Sequence, residues 1–296
     1  MTVPIMKRIF SIAMTLLAAF NVNATTVLTS IKPIQLITTE LTLGVSQADV
    51  LIPANASPHD YALKPSDVKR IQNADIIVWF GDDLEPFLSK ILNGRDSVLT
   101  LSELDGLELR EYAGDNHDHH GHDHGNHDPH FWLGYKTTKQ VAQAIANKLS
   151  VADKENAQKY QENLVAFLLS LEKQQQHLET QLEPVKEKGY YVFHDAYGYF
   201  EQDFELNHLG HFTVSPDRKP GAKTLIKIRK ALSSKKAECV FSEPQFTPAV
   251  IESVTRGSDA RIGVLDPLGT DIPVEPGAYF LFRQNLADSF SNCLKG

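Results

Sequence analysis

From residue 27 onward the chain reads as a short apolar run followed by a helical segment, repeated along its length, and this alternation limits the possible folds more than any other feature. In the first half the runs at 27–31, 50–52, 74–80 and 97–101 read as strands, with helices expected at 35–43, 67–73 and 86–92. The run at 74–80 is unbroken, as in a parallel sheet covered on both faces. Ser66 is the expected cap of the helix at 67–73, and Thr137 or Thr138 that of a helix carrying Val141, Ile145 and Leu149 on one side. A longer stripe follows, with Tyr160, Leu164, Phe167, Leu168, Leu171, Leu178 and Leu182 running from a cap at Asp153 to Pro184. Roughly thirty helical residues would span about 45 Å, a stiff connection between two domains. Beyond it the alternation resumes, with strands at 190–194, 209–213, 238–242 and 262–265, helices at 225–232 and 248–253, and a last helix at 279–294. The expected fold is α/β: two βα lobes, each with a four-stranded parallel sheet, joined by a long rigid helix. Residues 25–152 form the first lobe, 153–183 the linking helix and 184–296 the second lobe.

The stretch 115–132, DNHDHHGHDHGNHDPHFW, interrupts this pattern. It holds seven of the twelve histidines: His117, His119, His120, His122, His124, His127 and His130. A tract of His, Asp and Gly cannot form a core and reads as metal-binding by composition. Gly121 and Gly125 break any helix, so residues 115–129 are expected to form a mobile loop. An expression tag would be terminal, whereas a solvated spacer or a sink for copper and nickel stays open, since affinity alone favours copper. His130 differs from the rest because it follows Pro129 and enters the apolar run Phe131-Trp132-Leu133, where packing can hold it.

The first 24 residues read as an export signal. Lys7-Arg8 is basic, 9–20 is apolar, and Val22-Asn23-Ala24 resembles a cleavage site, so the mature chain is expected to start at Thr25. Twelve apolar residues fall short of the roughly twenty that span a bilayer. A net charge of -8 with no basic face argues against nucleic acid as a partner. Cys239 and Cys293 are the only cysteines, and in an oxidising compartment such a pair is expected to form a disulfide; the alternative is a pair of thiolate metal ligands.

In parallel α/β sheets ligands bind beyond the carboxyl ends of the strands. Applied here, that rule collects His59 and Asp60 after the second strand, His194 and Asp195 after 190–193, Glu243 after 238–242, and Asp266 after 262–265. With His130 these make a cage of imidazoles and carboxylates between the lobes. The separations of 71 and 64 residues among His59, His130 and His194 carry no local spacing code, so their meeting is inferred from topology.

The segments SPHDYALKPSDVKRIQNADIIVWFG, HFWL, GYYVFHDAYGYF, GHFTVSP, VFSEPQF and LDPLGT resemble the periplasmic zinc-binding proteins of ABC importers, the ZnuA type, over essentially the whole mature chain. The resemblance implies two βα lobes joined by a rigid helix, with His59, His130 and His194 holding the metal in the cleft. Some relatives carry a carboxylate where this chain has Pro58, so Asp266 or a water is expected to complete the site. Manganese-selecting relatives carry a carboxylate at the position of His194. Three imidazoles and one oxygen suit tetrahedral zinc better than a hard octahedral ion.

Asp60, Asp195 and Glu243 are expected to orient the imidazoles or cap strand ends. His211 is a candidate to help the loop hold a second ion, while His208 and His177 read as ordinary histidines, and Trp79 and Trp132 as core. The resulting expectation is a monomeric periplasmic receptor that captures Zn2+ and hands it to the membrane permease of an ABC importer, without covalent chemistry. The rivals are a zinc hydrolase, against which stands the lack of an H-E-x-x-H helix, a metal-dependent adhesin, and a zinc store.

Overall fold

The computed structural model describes residues 25–112, 127–214, 219–234, 236–246 and 249–296. The proposed signal at 1–24 and His117, His119, His120, His122 and His124 lie outside the described residues.

The first sheet contains β1 (Val27–Thr29), β2 (Ala48–Val50), β3 (Ile76–Trp79) and β4 (Val98–Thr100), ordered β2-β1-β3-β4 with every pair parallel. The second contains β5 (Tyr190–His194), β6 (His208–Thr213), β7 (Cys239–Ser242) and β8 (Arg261–Val264), in the equivalent order β6-β5-β7-β8 and again parallel. Burial follows position in the sheet. The inner strands β1, β3, β5 and β7 are buried at every residue, whereas the edge strand β8 exposes both Ile262 and Val264. In each sheet the order reverses between the first and third strands, which opens a crevice at their carboxyl ends.

The helices are α1 (Lys32–Leu41), α2 (Pro65–Asn73), α3 (Ser89–Leu92), α4 (Tyr135–Ala152), α5 (Ala157–Leu182), α6 (Gly198–Asp203), α7 (Ala222–Ser233), α8 (Ala249–Thr255) and α9 (Ala278–Lys295). Several boundaries differ from expectation for identifiable reasons. The first helix starts at Lys32, before the expected 35, because Pro33 fits its first turn, where its missing N–H costs nothing. Likewise Pro65, not Asp67, opens α2. Ser66 therefore lies inside the helix, and Asp67 Oδ2 reaches back to the Lys64 amide at 2.9 Å.

Thr137 and Thr138 are not caps either, since α4 starts at Tyr135 and both hydroxyls are buried. The expected helix from Asp153 is preceded by a turn: Asp153 accepts from the Asn156 amide at 3.3 Å and from the Tyr160 hydroxyl at 2.9 Å. This leaves α5 with 26 residues, about 39 Å long. The short α6 was not foreseen, because Gly198-Tyr-Phe has no helical stripe.

α5 packs on both halves of the molecule. Asn163 Nδ2 donates to the carbonyls of Leu41 and Leu43 at 2.9 Å each, and further along Gln174 Nε2 donates to the Phe280 carbonyl and Gln181 Nε2 to Asp288 Oδ1. One hydrophobic cluster runs continuously from Val27 and Ile77 through Leu171 to Tyr190, Phe241 and Phe290. A smaller one lies on the far face of the second sheet, and strand alternation explains the split: Tyr190 and Val192 enter the first, Tyr191 and Phe193 the second. Cys239 and Cys293 form a disulfide between β7 and α9, with Cα atoms 6.1 Å apart. Closing a 54-residue separation stabilises the fold by about 4 kcal/mol in the chain-entropy model.

Beyond β3 the chain turns over a wholly buried carboxylate. Glu85 Oε2 accepts from the amides of Phe80 at 3.1 Å and Gly81 at 3.3 Å, yet burial pushes its carboxyl up to about 7. The folded state thus holds this proton more tightly than the unfolded chain does. Its contribution is fully present below the unfolded carboxyl range, near pH 4.5, and is lost as pH rises towards 7, by up to about 3 kcal/mol. Glu85→Gln is therefore expected to gain stability over wild type at pH 8 and to lose that advantage at pH 5, measured by urea unfolding at both values.

Candidate metal centre

Three separate segments deliver three imidazoles to the crevice. His59 lies on the loop after β2, beyond a turn closed by Ala56 N to Pro53 O at 2.9 Å, and its amide donates to Ser57 Oγ at 3.3 Å. His130 begins the 3-10 turn Phe131–Leu133, whose three side chains are all buried, and the Trp132 indole donates to the Pro267 carbonyl at 2.8 Å. His194 is the last residue of β5, at the point where the strand order reverses. His130 and His194 are 2% and 3% exposed, and His59 is half-buried.

One ligand-capable nitrogen from each ring falls within 4.8 Å of the others, with ring centres 5.1 to 6.1 Å apart. Nε2 of His130 and Nε2 of His194 are 3.3 Å apart. Two nitrogens bound to one ion at about 2.05 Å and at a tetrahedral angle stand that far apart. Between the rings is a cavity of ≈ 10 Å³, room for one ion or one water, lined by residues that include Ser57, Pro58 and Gln245.

The opposite nitrogens are occupied. His130 Nδ1 pairs with Asp128 Oδ1 at 2.7 Å, and His194 Nδ1 with Glu243 Oε1 at 2.6 Å and Oε2 at 2.8 Å. A carboxylate only accepts, so each Nδ1 carries a proton and each Nε2 presents its lone pair to the cavity. Burial, reinforced by the neighbouring His194, holds the pKa of His130 well below the usual imidazole range, which keeps it neutral. Asp128 is itself wholly buried. Burial pushes its carboxyl up to about 6, against the pull of the His130 amide at 3.0 Å and of Arg110, whose Nη1 lies 2.7 Å from Oδ2.

Arg110 also reaches Asp195 Oδ1 at 3.4 Å, so one guanidinium joins the carboxylate behind His130 to the residue after His194. It lies over Gly198, where any Cβ would overlap it. Burial works against its charge, but Asp195 and Asp128 raise its pKa further.

The remaining sequence candidates fall as follows. Glu243 contacts His194, whereas Asp195 faces Arg110 and, at 3.8 Å, His211 Nδ1. Asp60 is exposed and does not line the cavity. Asp266 is turned into its own turn: Oδ1 accepts from the Leu268 amide at 3.0 Å and the Gln245 amide at 2.8 Å, and Oδ2 from the Thr270 amide at 2.5 Å. It is not one of the clustered groups. His127 is half-exposed, 4.0 Å from Asp83 Oδ2, and bridges Glu111 at the foot of the tract. His208 Nδ1 meets Glu201 at 3.0 Å; burial lowers its pKa, but that carboxylate more than restores it.

Asp128 and Arg110 were missed from sequence. Asp128 is one of several aspartates between histidines, and only the packed run after it sets it apart. Arg110 carries no local signature at all.

The sequence matches the family model for ZnuA, the periplasmic zinc-uptake complex component A, over residues 27–293. The chain belongs to this family. It is 41% identical over 303 residues to the high-affinity zinc uptake system protein ZnuA of Yersinia pestis, covering 96% of this chain and 95% of that one. To its counterpart in Haemophilus ducreyi it is 42% identical over 307 residues, covering 97% and 98%. The crystal structure of a ZnuA deletion mutant with zinc bound aligns with a TM-score of 0.78 at 26% identity, covering 92% of this chain and 98% of that one.

The fixed tautomer is open to test. Glu243→Gln removes the obligate acceptor behind His194, so its imidazole 15N signals are expected to change from one tautomer to a mixture. Affinity for divalent metal should fall roughly 10- to 100-fold. Unmoved signals would show that Glu243 does not set the tautomer.

Proposed function

We propose that this chain is the periplasmic receptor of an ABC importer, capturing Zn2+ between His59, His130 and His194 and delivering it to the membrane permease. The observation that carries this reading is the pair of buried Nε2 lone pairs 3.3 Å apart, each backed by a buried carboxylate. Three neutral imidazoles favour zinc over manganese or magnesium, which prefer oxygen. With both Asp266 oxygens engaged by backbone amides, a water completes the tetrahedron. Zinc is the cargo here, bound and released without covalent change.

In this reading residues 25–152 and 184–296 act as two lobes, and α5 is the strut between them. The chain works as a monomer in the periplasm, exported by residues 1–24. Lobe movement is small, because contacts across the cleft are numerous. They include Trp132 to Pro267, Lys32 Nζ to the Thr270 carbonyl at 2.8 Å, and Thr270 Oγ1 to the Ala54 carbonyl at 3.2 Å. Release then proceeds through rearrangement of the His59 loop, the least buried of the three ligand segments.

Titration of wild type and His194→Ala with zinc, in competition with manganese, tests the assignment. One tight zinc per cluster is expected in wild type, preferred over manganese, with at least a 100-fold loss in the variant; equal affinity in the two would sink the proposal. Protons compete for the same lone pairs, so affinity falls with falling pH. At His130 this competition sets in below the ordinary imidazole range, because its pKa is depressed.

The tract that contains His117, His119, His120, His122, His124 and His127 raises the local supply of zinc in this reading, with His211 near its base. Its two feet are joined beside the site by the Asp128 amide to the Arg110 carbonyl at 2.7 Å. Deleting 115–126 while keeping Asp128 is expected to leave the tight site intact and to lower uptake only when zinc is scarce. Equal uptake under scarcity would remove the gathering role.

A further inference from the structure

Gln245 lies two residues beyond Glu243, lines the cavity between the imidazoles, and has no role in the account so far. Its Nε2 donates to Asp266 Oδ1 at 2.8 Å and to Thr270 Oγ1 at 3.0 Å. An ionised carboxylate cannot donate, so Asp266 fixes which end of the amide is nitrogen; a flipped amide would set oxygen against oxygen. Asp266 is itself anchored by the Leu268 and Thr270 amides. The leftover end, Oε1, is shut off from bulk solvent and has no hydrogen-bond partner among the described residues.

A buried acceptor without a donor is uncommon and calls for a specific explanation. Gln245 lines the cavity and the other end of its amide is committed, so Oε1 is the end left to interact with what the cavity holds. Two roles are chemically open to a carbonyl oxygen there: direct coordination of the ion, or acceptance of a hydrogen bond from a water bound to it. Zinc takes imidazole, thiolate or carboxylate, whereas amide oxygen is typical of calcium. The second role therefore fits a three-imidazole site.

Building on the zinc reading above, we propose that Gln245 is a positioning residue of the metal site. Its Oε1 accepts a hydrogen bond from the water that completes the tetrahedron, and Asp266 acts on the ion through this amide rather than by touching it. The water arrives with one hydrogen already directed and its lone pair towards zinc, so less order is lost when the ion binds. The amide is neutral, so it orients the water without adding negative charge that would favour a harder cation. The turn 266–270 thereby becomes part of the zinc site without contributing a ligand.

The test compares wild type, His194→Ala, Gln245→Leu and Gln245→Met by zinc titration, zinc release rate and the visible spectrum of the Co2+-loaded protein. Both Gln245 variants lack the acceptor but differ in shape, so one remains informative if the other folds poorly. The expected result is a roughly 10- to 100-fold weaker zinc affinity with faster release. The cobalt bands should also shift, and added azide should displace the water more readily than in wild type. A residue that merely supports the fold would lower the melting temperature of the metal-free protein and leave the cobalt bands where they were.

The proposal is overturned if a folded Gln245 variant matches wild type in zinc affinity and cobalt spectrum while His194→Ala has lost zinc. If wild type itself fails to take up one tight zinc at the cluster, the zinc reading falls and this inference with it.

Discussion

The hydrogen bond that the far side of an imidazole donates to a buried carboxylate is the interaction on which the metal centre depends, and the site uses it twice. The side chains of Asp128 and Glu243 are 0% and 1% exposed, so each would be costly to bury without a partner. Each finds one in a histidine Nδ1–H, and each thereby forces the lone pair of Nε2 into the same small cavity. Two lone pairs held 3.3 Å apart repel one another when nothing lies between them. That repulsion is sustained by rigid surroundings: an all-buried β5 behind His194 and a tightly packed Phe131–Leu133 turn beyond His130. The fold holds in advance an arrangement that only a cation or a proton relieves, and burial disfavours the proton at His130.

Asp128 also helps tie the halves of the molecule together. Asp128 faces His130 with one oxygen and Arg110 with the other, and Arg110 continues to Asp195, next to His194. Tyr199 extends the link, donating to the Asp128 carbonyl at 2.7 Å and accepting from the Arg110 amide at 2.8 Å. Around it, Tyr279 donates to the Trp132 carbonyl at 2.6 Å, and the Gly277 amide to Glu40 at 2.7 Å. A cleft crossed by so many directed bonds resists opening as a rigid-body hinge, because they must all be broken together.

Much of this was legible in the sequence, and what escaped it has physical reasons. The inner strands could be read because they are buried on both faces and so are mainly apolar, and the edge strands because they recur between helical segments. The carboxyl-end rule then brought out His59, His194 and Glu243. Helix starts were read poorly, since Ser66, Thr137 and Thr138 have capping chemistry but the backbone turns earlier, at Pro65 and Tyr135. Asp266, which follows β8, was one of two candidates for the fourth position, the other being a water. The Asp-Pro-x-Gly pattern that follows it is also a turn signal, and its oxygens go to the amides of that turn. Arg110 and Gln245 act through the shape of the assembled cleft, and nothing in their neighbouring residues announces it.

The unequal burial of the three histidines has a kinetic consequence. His130 and His194 are packed in place, so at the proposed zinc site the ordering cost falls mainly on His59. His59 is half-buried and sits on a loop between Pro53 and Pro65, both of which restrict the backbone without joining it to a sheet. An ion can first meet the fixed pair and then be closed over by His59, and it can leave by the reverse order without disturbing the carboxylates behind the pair. A site with all three imidazoles locked would bind no more specifically, because selection lies in the ligand type and in the spacing of the fixed pair. It would, however, release far more slowly, and a protein that must hand its cargo to a membrane partner needs one ligand that can be withdrawn.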